Sequence, residues 1–280
     1  MIRVLSGVIL AAAFFAIAWF ASPVVLTWIA MGVCVLALHE YRAILNRIGI
    51  SVPWWPTLAL TLATLATVPF PYYAPPEIVA SIGVVIVAVA AMIAASRAAL
   101  PAGTPDAAAQ PAIFTSAAQA TAAGALALVY LGIPLGSLVG VHLYGGRGAV
   151  LLLVFTIVVS DSAQYYTGRL FGRRPLAALS PKKTIEGAIG GFVAAPIFLY
   201  FMGPEWIPVA TAPTIAPLGV ALVAAGIAGD LFESMLKRAA AMKDSSTLIP
   251  GHGGVLDRID ALLFATPVFY LYLRWIYTPR

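Results

Sequence analysis

The sequence predicts an all-α fold, a polytopic bundle of helices integral to a membrane. Hydrophobic residues make up 61% of the 280-residue chain and charged residues only 10%, whereas soluble domains carry about a quarter. Apolar stretches of roughly 20 residues, the length that crosses the hydrocarbon core, recur along the chain. The alternating pattern of a β-barrel is missing, so helices are expected to satisfy the backbone hydrogen bonds in lipid.

These apolar stretches predict about nine transmembrane helices. The fifth stretch is too long for one straight span, which predicts a tilt, a re-entrant piece or a kink near Gly132 and Pro134. The first follows Arg3 as a secretory signal would, but its length and the span directly after it favour an uncleaved helix. The predicted spans are approximately residues 4–21, 24–40, 53–71, 77–96, 114–143, 148–167, 186–203, 208–229 and 261–278.

Basic residues predict the orientation. With a cytoplasmic N-terminus, all but three of the 16 Lys and Arg residues fall in inner segments; the exceptions are Arg147, Arg274 and Arg280. Cytoplasmic loops carry such an excess of Lys and Arg. We therefore expect a protein of the bacterial cytoplasmic membrane whose polar segment before the last span faces the cytosol.

The chain is expected to form one membrane domain, residues 1–280, with two chemically unequal halves. Residues 1–147 are mainly Ala, Leu, Val and Ile and are predicted to be scaffold helices. Residues 148–280 hold most of the eleven acidic residues and most of the inner cations. They are predicted to be the catalytic half.

The first polar cluster is SDSAQYYTGRLFGRR, residues 160–174. Asp161 follows about a dozen apolar residues, and an unpaired charge at that depth costs several kcal/mol, so a cation is expected to face it. Tyr165 and Gly168 share its helical face. The alternative is a structural ion pair with a neighbouring helix.

The second cluster is SPKKTIEG, residues 180–187. Pro181 interrupts the chain, and Lys182 and Lys183 stand just before the seventh span, where ammonium groups can meet phosphate. Two lysines at an inner helix end are also ordinary topology markers and contacts of anionic lipid.

The third cluster, residues 230–260, is the richest in charge. Asp230, Glu233, Ser234 and Lys237 share one helical face, and a Gly-rich turn at residues 250–254 precedes the next helix. Such a turn brings N–H groups close to an anion.

Carboxylates with phosphate oxygens are typical Mg²⁺ ligands. Asp161, Asp230 and Asp257 therefore predict a magnesium site that bridges a nucleotide. Zinc is excluded because His252 has no Cys or His partner at zinc spacing. The phosphate motifs of soluble nucleotide enzymes are missing, so any nucleotide is bound in another way.

The segment SMLKRAAAMKDSSTLIPGHGGVLDRID, residues 234–260, resembles the signature of the phosphatidate cytidylyltransferases, also called CDP-diacylglycerol synthases. That signature has a Ser, then LysArg, LysAsp, HisGlyGly, and finally AspArg, an apolar residue and Asp, and every fixed position is filled here. Residues 161–187 look like the upstream block of the same family. The resemblance covers roughly the last half of the chain.

The resemblance implies transfer of CMP from CTP to phosphatidic acid of the inner leaflet, which yields CDP-diacylglycerol and pyrophosphate. It implies Mg²⁺ as cofactor, with a second cation left open, and it suggests a homodimer. Membrane lipids are expected partners and nucleic acid is not. A cavity open sideways to the bilayer is also expected.

By the same resemblance, individual residues receive roles. Metal ligands are expected to be Asp161, Asp230, Asp257 and Asp260, and catalytic residues to be Asp161, Lys182, Asp230 and Asp257. Substrate contacts are expected from Arg169, Ser180, Lys183, Ser234, Lys237, Arg238, Lys243, Asp244, His252, Gly253, Gly254 and Arg258.

Two alternatives stay open from the residues alone. Intramembrane acids also mark the paths of cation- or proton-coupled transporters, although these usually place them near the midplane and show internal repeats. A related CDP-lipid synthase that uses another lipid phosphate would need the same headgroup chemistry.

Overall fold

The computed structural model describes residues 12–70, 75–99, 110–249, 251 and 253–277. A helical segment over residues 12–20 precedes the named elements. The helices are α1 (Pro23–Arg47), α2 (Trp54–Thr67), α3 (Pro76–Ala99), α4 (Gln110–Ala127), α5 (Ile133–Phe171), α6 (Ile185–Trp206), α7 (Ala212–Ala239) and α8 (Leu256–Tyr277). A π-helical turn, Leu128–Gly132, joins α4 to α5, and strands β1 (Pro175–Ala177) and β2 (Ser180–Thr184) lie between α5 and α6.

The fold is an all-α polytopic membrane bundle, as predicted. Among the described residues, six helices are long and apolar enough to cross a membrane: Pro23–Arg47, Pro76–Arg97, Ala112–Phe171, Ile185–Trp206, Ala212–Ala239 and Leu256–Tyr277. Large apolar side chains cover the outside of the bundle; Phe20 is 80% exposed, Trp28 70% and Met92 62%. A surface of this kind is suited to lipid rather than water.

Three predicted spans differ in form from the helices found. The predicted span 53–71 is α2, whose 14 residues are fewer than the roughly 20 that a straight span needs. The fifth and sixth form one helical path, Ala112–Phe171. Its π-helical turn lies at the predicted kink. The path is also broken at Gly146, where φ is 68° and ψ is −171°, between the ends predicted for these two spans. The count of nine spans and the cytoplasmic N-terminus stay predictions.

Hydroxyl side chains cap the starts of α1, α6 and α7. The Ser22 Oγ accepts a hydrogen bond of 3.3 Å from the Val25 amide at the start of α1, and Thr184 does the same for the Gly187 amide of α6 at 3.1 Å. At the start of α7, Thr211 and Thr214 form a capping box. Each of these bonds satisfies an amide that has no partner inside its helix.

The sequence analysis did not predict the β1–β2 hairpin. Pro175 pairs with Thr184 and Ala177 with Ser180 in an antiparallel sheet. Its five-residue strand carries two lysines and a proline, a composition unlike that of the β-branched runs that signal a strand. The hairpin places Lys182 and Lys183 beside the end of α5.

Close helix contacts through small residues position the polar end of the bundle. A Cβ at Gly219 of α7 would lie 2.6 Å from the Pro196 backbone nitrogen of α6. A Cβ at Gly229 of α7 would collide with the carbonyl oxygen of Asp260 on α8. Small residues allow membrane helices to approach in this way, and here they bring Asp230, next to Gly229, beside α8.

The first helix packs into the same region. One buried cluster joins Cys34 and Tyr41 of α1 to Leu131 of the π-helical turn and to Leu256 at the start of α8. The Tyr41 hydroxyl donates a 3.1 Å hydrogen bond to the Ala123 carbonyl oxygen. Helix α1 is thereby held against the elements that carry the polar clusters.

Candidate active site

The described structure gathers charged side chains from α5, β2, α7 and α8 at one end of the bundle. Lys183 Nζ of β2 lies 2.5 Å from Asp230 Oδ2 of α7. Asp161, in the C-terminal part of α5, interacts electrostatically with both. Lys183 is therefore the cation expected near Asp161, although its direct ion pair is with Asp230.

Asp230 and Asp260 form the second contact of this cluster. Their carboxyl groups interact directly across the α7–α8 contact, at the point where Gly229 lets the two backbones approach. Asp260 also accepts a 2.8 Å hydrogen bond from the Ala261 amide. Two carboxylates from different helices thus stand together.

Lys237 bridges two further acids. Its ammonium lies 2.7 Å from Glu233 Oε2, one turn earlier on α7, and 2.5 Å from Asp257 Oδ1 on α8. The side chains of Glu233, Asp257 and Lys237 are 0%, 5% and 13% exposed. An ion pair this well shielded from water costs desolvation energy, and removing one partner strands the others.

The loop before α8 wraps around Asp257. Asp257 Oδ2 accepts hydrogen bonds of 2.8 Å from the Ser245 amide, the Ser245 hydroxyl and the Gly254 amide. With Lys237 on Oδ1, both oxygens of this carboxylate have partners within the chain. The Gly254 amide therefore meets an anion, as the Gly-rich turn suggested, but the anion is the protein's own carboxylate.

Glu40 is the residue that sequence analysis missed. It lies near the end of α1, is 3% exposed, and accepts hydrogen bonds from Ser245, Ser246, Val255 and Leu256. The sequence could have marked Glu40 as a candidate, because it is an acidic residue at the end of a predicted membrane span and such residues are usually functional. No local motif connects Glu40 to a loop more than 200 residues away.

Glu186 has a structural task at the start of α6. Its carboxylate accepts hydrogen bonds from the backbone amides of Arg173 and Arg174 at 3.0 and 3.3 Å, and it pairs with the Arg174 guanidinium at 3.2 Å. These contacts tie the hairpin to α6. They position the β2 lysines.

Within the described residues, no side-chain hydrogen bond or ion pair joins the other residues predicted to contact substrate to this cluster. Ser180 and Ser234 are half-buried. His252 lies outside the described residues. Exposed side chains are those of Arg169, Lys182, Arg238, Lys243, Asp244 and Arg258.

Comparison with known protein families shows which family this chain belongs to. Residues 1–276 match the model of the cytidylyltransferase family. The chain belongs to this family. The match extends through the apolar first half, where the resemblance seen in the sequence did not reach.

Curated relatives of this cytidylyltransferase-family chain are named phosphatidate cytidylyltransferases. The protein of Haemophilus influenzae is 48% identical over 130 residues, which cover 44% of this chain and 45% of the relative. That of Thermotoga maritima is 38% identical over 159 residues, covering 55% and 59%. The chloroplastic protein 5 of Arabidopsis thaliana is 42% identical over 135 residues, covering 48% and 33%. The aligned segments thus span about half the length of these bacterial relatives.

The cluster fits a divalent cation held jointly with substrate. Within the described ranges, no three acidic, His or Cys side chains form a ready-made metal site. Mg²⁺ needs only one or two carboxylates when substrate phosphates supply the remaining oxygens, and Asp230 with Asp260 provides two. Carboxylates outnumber the lysines in contact with them, so added positive charge would stabilise the cluster. Asp257 would join as a ligand if Lys237 released Oδ1.

Proposed function

We propose that this cytidylyltransferase-family protein transfers CMP from CTP to phosphatidic acid, giving CDP-diacylglycerol and pyrophosphate. The observation that carries the proposal is the meeting of carboxylates and lysines from separate elements at one end of helices long enough to span a membrane. A lipid phosphate and a nucleotide can both reach such a place. The names of the relatives supply the substrate pair.

In the proposed reaction, an oxygen of the phosphatidate phosphate attacks the α-phosphorus of CTP. A P–O bond forms there, the bond from the α-phosphorus to the oxygen bridging to the β-phosphorus breaks, and pyrophosphate leaves with the electron pair. A phosphate monoester is largely dianionic at pH 7, so no side chain has to remove a proton from the nucleophile. Repulsion between two polyanions is the main barrier.

The cations of the site offset that repulsion. Lys183 and Lys237 stand within the cluster, and the exposed Lys182, Arg238 and Arg258 would hold phosphate oxygens as charge builds on the leaving group. Asp230 and Asp260 would hold Mg²⁺, with Asp161 beside them. The ion would neutralise phosphate charge and polarise the phosphoryl group.

We place the protein in the bacterial cytoplasmic membrane with this site facing the cytosol. The excess of Lys and Arg in the predicted inner segments supports that orientation, and most of the relatives cited are bacterial. CTP would enter from the cytosol and phosphatidic acid from the inner leaflet. The homodimer and the second cation stay predictions.

The test is pyrophosphate release by the purified protein in detergent micelles with CTP, phosphatidic acid and Mg²⁺. We expect a chelator to abolish release, and Asp230→Asn and Asp257→Asn each to lower the rate about 100-fold or more, the scale for removing one preorganised charge interaction. Glu77→Gln, the same kind of change at an exposed acid of α3, should leave the rate unchanged.

Three outcomes would contradict parts of this proposal. Full activity in both Asp variants would remove them from the mechanism. Product only with another lipid phosphate would point to a related CDP-lipid synthase. No product with any lipid phosphate, together with solute uptake into vesicles without CTP consumption, would favour a transporter.

A further inference from the structure

Glu40 is a buried carboxylate and the sole acid of α1, a mainly apolar helix whose other ionisable residues are His39, Arg42, Tyr41 and Arg47, besides the thiol of Cys34. It is 3% exposed, and α1 is 25 residues long with no acid in its first turn. A buried charge is retained at such a place only when it is well solvated by donors. Its donors therefore indicate what it does.

In the described structure, the donors that face Glu40 come from the loop that precedes α8 and from Leu256, the first residue of that helix. Oε1 accepts from the Ser246 hydroxyl at 2.6 Å and from the Val255 amide at 3.0 Å. Oε2 accepts from the Leu256 amide at 2.8 Å and lies 3.1 Å from the Ser245 hydroxyl, whose single proton is shared between Glu40 and Asp257. Each oxygen thus faces one backbone N–H.

This arrangement requires the carboxylate of Glu, because the amide of a Gln could not accept all of these hydrogen bonds. Whichever way a Gln side chain is turned, its NH₂ group would face either the Val255 or the Leu256 N–H, and two donors cannot bond each other. Backbone amides at a helix N-terminus have no partner inside the helix. Glu40 therefore caps α8 from a different helix.

The same loop holds Asp257 from its other side. The Ser245 hydroxyl lies 3.1 Å from Glu40 Oε2 and 2.8 Å from Asp257 Oδ2, and the Gly254 amide donates to Asp257. A Cβ at Gly254 would be 2.5 Å from both Glu40 oxygens. No side chain fits between the two carboxylates, so a shift of one is transmitted through Ser245 and Gly254 to the other.

We propose that Glu40 is a positioning residue of the active site: by holding the loop 245–256 and the first turn of α8, it fixes the place of the Asp257 carboxylate. Glu40 itself touches no reacting atom in this proposal. The expected loss of activity on changing Glu40 rests on the proposed function. The expected loosening of the loop does not.

The test is Glu40→Gln in the full-length protein in micelles, with Glu77→Gln as the matched control. Hydrogen exchange of the amides at Gly254, Val255 and Leu256 should quicken at least tenfold, while the midpoint of thermal unfolding and exchange in α5 and α6 stay near wild type. The kcat for pyrophosphate release should fall at least tenfold with KM for CTP changed less than threefold, because Lys183 and Asp230 stay in place.

Ser246→Ala provides a milder second variant, since it removes one donor and leaves Glu40 in place. We expect faster exchange at Val255 and a smaller loss of kcat. Unchanged amide exchange of the loop in Glu40→Gln would overturn the proposal. Faster exchange over the whole bundle with a large fall in the unfolding midpoint would also overturn it, because Glu40 would then stabilise the fold as a whole. An inactive wild type would instead contradict the proposed function, and the exchange comparison would still decide whether Glu40 holds the loop.

Discussion

Gly253 and Gly254 lack side chains because carboxylates occupy the space where their Cβ atoms would lie. A Cβ at Gly253 would be 2.6 Å from Asp257 Oδ2, and one at Gly254 would be 2.5 Å from the Glu40 oxygens. Gly253 also has a φ of 80°, a conformation that L side chains rarely adopt. The glycines of the signature are therefore explained by the fit of the loop around two acids.

Gly254→Ala tests that fit. The new methyl group would press on Glu40 and Ser245, so we expect a loss of about 1–3 kcal/mol in the free energy of unfolding, the usual cost of overpacking, together with lower activity. Unfolding followed by intrinsic fluorescence measures it.

Gly32→Ala is the control for this substitution. A Cβ at this α1 position meets nothing within 4 Å, and Ala is favoured over Gly in a helix by up to ~1 kcal/mol. Equal stability of the two variants would contradict the close fit.

Single-sequence reasoning found part of the site for a clear physical reason. Asp161, Asp230, Asp257 and Asp260 each stand in or next to an apolar span with other polar residues at helical spacing, which marks them as facing the bundle. The structure pairs Asp230 with Lys183 and brings Asp260 against Asp230, while Asp161 interacts electrostatically with Lys183 and Asp230. Glu40 lies in the apolar half of the chain, and its hydrogen-bond partners Ser245 and Leu256 are more than 200 residues away, so these partners become visible only in three dimensions.

The crossing of α7 and α8 is the element-level feature that sets the distance between Asp230 and Asp260. It depends on Gly229, whose missing side chain leaves room for the Asp260 carbonyl oxygen. Gly226, one turn earlier on the same helix, has only the Ala261 Cβ nearby, at 3.7 Å. An added methyl group would therefore be blocked at Gly229 and accommodated at Gly226.

Gly229→Ala should separate the helices and the two carboxylates, whereas Gly226→Ala should be accommodated as an ordinary contact. We expect the first to raise the Mg²⁺ concentration for half-maximal pyrophosphate release several-fold and to lower stability by about 1–3 kcal/mol. The second should change neither. The measurement is a Mg²⁺ titration of pyrophosphate release by both variants. Identical curves would show that the α7–α8 crossing does not control Mg²⁺ binding.

Helices were predictable where the length of an apolar run is enough to identify them. The apolar runs of α6, α7 and α8 are long enough to span a membrane, and all three helices are found. The hairpin between α5 and α6 was not predictable, since its strand Ser180–Thr184 is too short and too basic for a strand signal and depends on Glu186 to hold it. The break at Gly146 was predictable, because it falls between the ends predicted for the fifth and sixth spans, at residues 143 and 148.

At the scale of the whole molecule, charge is segregated to the two ends of the bundle. The acidic and basic cluster lies where α5 and α7 end and α8 begins. Glu205, at the opposite end of α6 from Lys183, is exposed, as is Lys243 in the loop before α8. The orientation predicted from basic residues assigns these two positions to opposite sides of the membrane.

Cysteine labelling tests the orientation. In a chain with the buried Cys34 replaced by Ala, a thiol reagent that does not cross membranes should label Glu205→Cys in intact cells and Lys243→Cys only in inverted vesicles. Permeabilised cells, in which both should react, control for access. Labelling of Lys243→Cys from outside intact cells would reverse the topology and place the proposed site away from CTP.

The contact between Glu40 and Ser245 joins residues 205 positions apart, and this separation has a consequence in time. Chains are made from the N-terminus at about 5–20 residues per second, so α1 is synthesised roughly 10–40 s before its loop partner exists. During that interval the Glu40 carboxylate has to find water or other donors at the membrane edge. Docking of the loop before α8 onto Glu40 is thus expected to be among the last steps in the assembly of each molecule, after most of its helices have already been inserted.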